Sequence, residues 1–171
     1  MGDLDIFPGH PLEPLFLSEI GQTYVLMNQP DSALIYVEKA VKLNELFQGA
    51  TYEFPIYLLA TIQRMKGEYP QALINYRKSI PLAIQNGFAG DTLQIYSGMS
   101  SLFTKTGMTD SAIHYANIVA RSWELGYSER KNILEAIGNL AAVYKITGNK
   151  DSIIKYAELN QKLKDSFLRR G

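Results

Sequence analysis

Histidine, cysteine and clustered carboxylates build most catalytic and metal sites, and this chain of 171 residues is poor in all three. Cysteine is absent, which removes disulfides, thiolate metal sites and cysteine nucleophiles together. The two histidines lie far apart. His10 sits in a Pro-Gly-His-Pro segment that cannot hold a helix for long, and His114 falls on the side of an amphipathic stretch expected to face outward. No His-Glu-x-x-His, no pair of histidines one helical turn apart and no carboxylate cluster of metal-binding density occurs. Gly87-Phe88-Ala89-Gly90 has the composition of a phosphate-cradling loop, but it lacks the following Gly-Lys-Ser/Thr and comes after a helical pattern, not a strand. It is expected to be a connecting loop. These absences point to a chain that is not an enzyme and has no cofactor or metal site.

Composition narrows the partners. Lys plus Arg and Asp plus Glu both number 17, so no excess positive charge drives binding to nucleic acid or to an anionic membrane. No apolar run approaches the ~18 residues of a membrane span. The densest patch, Ile56 to Ile62, already contains Thr61. Met1 to Phe7 is acidic without a basic flank, unlike a signal peptide. A cytoplasmic location is the default expectation, and a periplasmic one if the chain is a fragment of an exported sensor.

The elements that must position any site are helical hairpins. Asn139 to Ala157 shows the unit: Leu140, Ala141 and Tyr144 recur at helical spacing, Gly148 ends the helix, and Ile153, Ile154, Tyr156 and Ala157 make a second stripe after Asp151. After a lead-in over residues 1–11, four such units are expected, at about 12–49, 52–87, 91–126 and 129–169, in one array over 12–171. Gly21, Ala60, Ser100 and Ala141 stand 39, 40 and 41 positions apart, and each lies 12 before Ala33, Ala72, Ala112 or Ile153. Small side chains there let the two helices of a hairpin approach closely. Pro70 suits a first helical position, and Pro81 predicts a kink near Ile80. A second series, closing at Gly49, Gly87 and Gly126 and followed by Ala50, Phe88 or Tyr127, reads as glycine caps on the second helices.

With small, aromatic, glycine and alanine residues at these offsets, the chain resembles the tetratricopeptide repeat family, whose unit is about 34 residues. The resemblance covers residues 12 to 168, with longer units like the roughly 40-residue variety of bacterial regulators and kinesin light chains. It implies an all-α fold, an α-solenoid of four hairpins in a right-handed superhelix. None of the units has the family's first tryptophan; Leu17, Ile56, Tyr96 and Ile137 stand there instead. In the last unit Ile153 replaces alanine, and Asn160 stands where Ala40, Ser79 and Val119 stand earlier, so Asn160 is expected to face water at the end of the array.

The resemblance also implies a function: a non-catalytic scaffold that holds a protein or peptide in a concave groove lined by first helices. It further suggests the sensor or interaction region of a bacterial regulator. The alternative is a small-molecule or peptide-pheromone sensor. Carried over by register, the lining set is Phe54, Tyr57, Thr61 and Arg64, then Gln94, Ser97 and Ser101 with Thr104, then Glu135 and Lys145 with Gly138 and Ala142 between them. Leu15, Ser18, Gln22 and Val25 occupy the same register in the first unit. The family's chaperone-tail clamp is missing, since Ser18, Gln22 and Leu58 stand at its key positions. Apolar Ile154, Leu159, Leu163 and Phe167 make self-association through the last helix a further expectation.

Overall fold

The computed structural model describes residues 9–46, 52–87, 89–122 and 130–168. They form eight α-helices: α1 Glu13–Leu26, α2 Pro30–Leu46, α3 Glu53–Met65, α4 Tyr69–Gln85, α5 Ala89–Lys105, α6 Thr109–Ser122, α7 Arg130–Thr147 and α8 Lys150–Leu168. No strand occurs among the described residues, and the fold is an all-α helical repeat. The chain divides into two compact units, residues 1–88 holding α1 to α4 and residues 89–171 holding α5 to α8.

Each hairpin reverses by the same device. Asn28, Gly67, Gly107 and Gly148 all have positive φ, at +56°, +82°, +73° and +72°. In each turn the next residue donates its N–H to the carbonyl five back: Gln29 to Tyr24, Glu68 to Gln63, Met108 to Phe103 and Asn149 to Tyr144, at 2.9–3.1 Å. These bonds satisfy carbonyls that the helix end would leave orphaned. The first turn reaches this geometry with asparagine, one of the few residues other than glycine that tolerate the left-handed region.

In the first unit α1 and α2 pair, α3 and α4 pair, and α3 also packs on both helices of the first hairpin. Ala33, Val37, Leu58 and Ile62 form the core where α2 meets α3, with Tyr24, Val25 and Leu34 around it. Gly21 on α1 lets α1 come close to α2, because a methyl group there would clash with Val37 Cγ2. The segment leading into α3 is held by Asn44, a buried side chain that donates to the Tyr52 carbonyl and accepts from the Tyr52 N–H, both at 2.9 Å. Pro70 is the second residue of α4, and α4 continues through Pro81 to Gln85.

In the second unit α5 pairs with α6, α7 with α8, and α7 also packs on α5 and α6. Its cores are Leu93, Ala116, Val119, Ala136 and Leu140, then Ile133, Ile137 and Leu163. The predicted small-residue register is direct here: the Ser100 hydroxyl donates to the Ala112 carbonyl across the hairpin at 3.0 Å.

Two expectations about the last helix change. Asn160 does not simply face water: it is half-buried, and its side-chain oxygen is shut from solvent without a hydrogen-bond partner among the described residues. Leu163 is buried against Ile133 and Ile137, with Leu159 packed on the same cluster, so α7 covers these two of the apolar residues expected to be free. Ile154 remains exposed. The Phe167 side chain and the caps at Gly49 and Gly126 lie outside the described residues, as does Phe88, although Gly87 takes the expected positive φ of +76°.

Candidate functional site

Spacing of three and four residues puts Phe54, Tyr57, Thr61 and Arg64 on one face of α3. The start of this helix is fixed from both sides. Tyr52 before it is clamped by Asn44, and Glu53, buried at its first position, accepts a hydrogen bond of 2.6 Å from Asn86 Nδ2 at the end of α4.

On that face the rings of Phe54 and Tyr57 stack with centroids 6.3 Å apart, and the Tyr57 ring lies 6.1 Å from the ring of Tyr76 on α4. The Tyr76 hydroxyl is the hub. It accepts from Arg64 Nε at 3.2 Å and shares a hydrogen bond of 3.2 Å with the Thr61 hydroxyl, which also bonds the Tyr57 carbonyl at 3.1 Å. Thr61 and Tyr76 are buried, so they hold the cluster from beneath; Phe54, Tyr57 and Arg64 are half-exposed and form its accessible part. Tyr76 was not among the sequence-predicted residues. The signal was its aromatic ring on the second helix, 12 residues after Arg64, the separation that already linked the small-residue positions.

The remaining predicted residues lie in the second unit. Gln94 and Ser101 are half-exposed on α5, while Ser97 between them is buried, with a hydroxyl that has no hydrogen-bond partner among the described residues. On α7 Glu135 is half-exposed and Lys145 exposed. This face carries small polar groups and two opposite charges, where the α3 face carries rings and a guanidinium.

The histidines have local roles. His10 Nδ1 accepts the Leu12 N–H at 3.1 Å at the entry to α1. His114 is exposed on α6, with its ring edge-on to Tyr115 at 5.1 Å. Among the described residues no group of three or more His, Asp or Glu side chains is placed to hold a metal ion, and no helix is long and apolar enough to cross a membrane.

Residues 16–45, the body of the first hairpin, match the model of the tetratricopeptide repeat family. No curated protein matches the sequence. Among solved structures, the chain is similar to BtubC (BKLC) from P. vanneervenii, with a TM-score of 0.75 and 16% identity over 95% of this chain and 68% of that one. It is also similar to a kinesin light chain protein of nearly identical TPR-like repeats from Podosopora anserina, with a TM-score of 0.65 and 14% identity over 96% of this chain and 81% of that one. At such identities the likeness is one of fold.

Proposed function

We propose that this tetratricopeptide-like repeat chain is a non-catalytic scaffold whose α3 face grips a peptide or helix of a partner protein. In a larger signalling protein it would serve as the interaction region. The observation that carries this reading is the ordering of Arg64. Tyrosine and arginine are favoured anchors at interfaces. Here the guanidinium is already fixed at its Nε by the Tyr76 hydroxyl and the Tyr57 ring is seated between Phe54 and Tyr76. Side chains held in place before binding lose less entropy when the partner arrives.

The test is affinity capture from extract with the wild-type chain and with Tyr57→Ala plus Arg64→Ala. Partners held by the α3 face should be lost from the variant while circular dichroism stays helical. Retention of every partner by a folded variant removes the α3 face from the function.

A further inference from the structure

We infer that the exposed face of α7 pairs antiparallel with the same face of a second copy of this chain, placing Glu135 against Lys145 of the partner subunit twice over. This goes beyond the α3 reading and stands on different residues.

The first observation is Gly138. A glycine inside a helix costs about 1 kcal/mol relative to alanine, so it calls for a local reason. Gly21 has one, in the close approach of Val37. Gly138 has none: among the described residues nothing lies within 4 Å of the place a Cβ would occupy, and the residue is half-exposed in the middle of α7. The open space lies outside this chain's own packing. Ala142, one turn on, is exposed as well. Small residues four apart let two helix backbones come close.

The second observation is charge. Glu135, Gly138, Ala142 and Lys145 follow each other at spacings of three, four and three, which puts them on one side of the helix, opposite the buried Leu140. They are also symmetric about the level of Leu140: Glu135 lies five before it and Lys145 five after, Gly138 two before and Ala142 two after. A two-fold axis through that level brings unlike charges together at both ends and small residues together in the middle. Self-complementarity of this kind is what an isologous dimer requires. The neighbouring α5 positions, Gln94, Ser101 and Thr104, carry no charge to oppose it. Neither Glu135 nor Lys145 takes part in a salt bridge among the described residues. Within one chain the two charges are separated by about 15 Å along the helix, beyond the ~8–10 Å screening length in salt, so they hold no account with each other. A seam of one helix is small for an interface, so the dimer should be weak and concentration-dependent.

Sedimentation over a range of concentrations at low salt, with circular dichroism as the folding control, tests this on the full chain. The wild type should show a reversible dimer that weakens with added salt. Glu135→Lys or Lys145→Glu alone places like charges opposite each other at both ends and should weaken the dimer at least about tenfold. The two together restore both pairs with inverted signs and should restore the dimer, a recovery that no effect within one subunit produces. Gly138→Leu should abolish it while leaving the helices intact. A wild type that stays monomeric at all concentrations overturns the inference. So does a single charge reversal that dimerises normally, a folded double variant no better than the single ones, or a dimer lost on Phe167→Glu but indifferent to Glu135→Lys. Because the readout is self-association and not capture of another protein, its failure leaves the α3 reading untouched.

Discussion

The rings of Tyr144 and Tyr156 stack 5.5 Å apart and 5° from parallel, joining α7 to α8 just below the turn. Each stands at a fixed distance from the left-handed residue Gly148, four before it and eight after. The same two positions are paired in every hairpin. Tyr24 stacks on Tyr36 at 5.4 Å in the first and Phe103 on Tyr115 at 5.7 Å in the third. In the second hairpin the pair is amide to amide: Asn75 Nδ2 donates to Gln63 Oε1 at 2.9 Å. One register is therefore filled by two different kinds of match, and four consequences of this and neighbouring geometry can be measured.

Exchanging one member of the amide pair should cost more than exchanging both. Gln63→Phe or Asn75→Tyr alone strands a partly buried amide and is expected to destabilise by about 1 kcal/mol. The double variant rebuilds the Phe103 and Tyr115 arrangement and should recover most of that loss. Urea unfolding of the four proteins gives a coupling energy on the order of 1 kcal/mol. Additive effects would show that the two positions do not act as a pair.

The turns should respond in opposite directions. Asn28→Gly relieves a side chain at φ +56° and is expected to stabilise by a few tenths to about 1 kcal/mol, while Gly107→Ala imposes a Cβ at φ +73° and should cost about 1–2 kcal/mol. Thermal unfolding reads both, and destabilisation by Asn28→Gly would mean that the asparagine side chain contributes more than its strain costs.

Close packing at Gly21 predicts a size-dependent rescue. Gly21→Ala drives a methyl group against Val37 Cγ2 and should destabilise by about 1–3 kcal/mol. Adding Val37→Ala removes the opposing atom, so the double variant should fall short of the summed losses. Gly138→Ala has no such neighbour and should be neutral or stabilising in dilute solution.

Alkali should weaken the fourth hairpin through Tyr144. Burial first, then the neighbouring Tyr156, raise its phenol above the ordinary value of 10.0, while Lys155 acts in the opposite sense. A raised value in the fold means that the neutral phenol is favoured there. Its contribution is complete below the unfolded-state value and is lost as pH rises through the folded one. As pH rises past 10.0 the wild type should therefore lose more stability than Tyr144→Phe, measured by denaturant unfolding at each pH. Equal losses would exclude a role for this group.

The repeat was legible because a hairpin writes its needs into short-range spacing. A left-handed turn selects glycine or asparagine, and a close helix crossing selects small residues 12 positions apart, as the bond from Ser100 to the Ala112 carbonyl shows. That Phe54, Tyr57, Thr61 and Arg64 share one face of α3 followed from the same periodicity. Their division into exposed and buried did not: Thr61 and Ser97 share a register with accessible residues, yet the packing of neighbouring helices buries them. Asn44 and Tyr76 were missed because their partners, the Tyr52 backbone and the Arg64 guanidinium, lie eight residues on or on another helix. Leu159 and Leu163 looked like a free surface because amphipathic spacing shows that a face is apolar, not which neighbour covers it. The sequence by itself thus determined the helices, their turns and the repeat, all of which depend on residues a few positions apart. Only the tertiary structure decided which side chains stay accessible, which pair across helices, and why Gly21 is filled space while Gly138 is open. Those outcomes depend on distances between segments that local spacing does not encode.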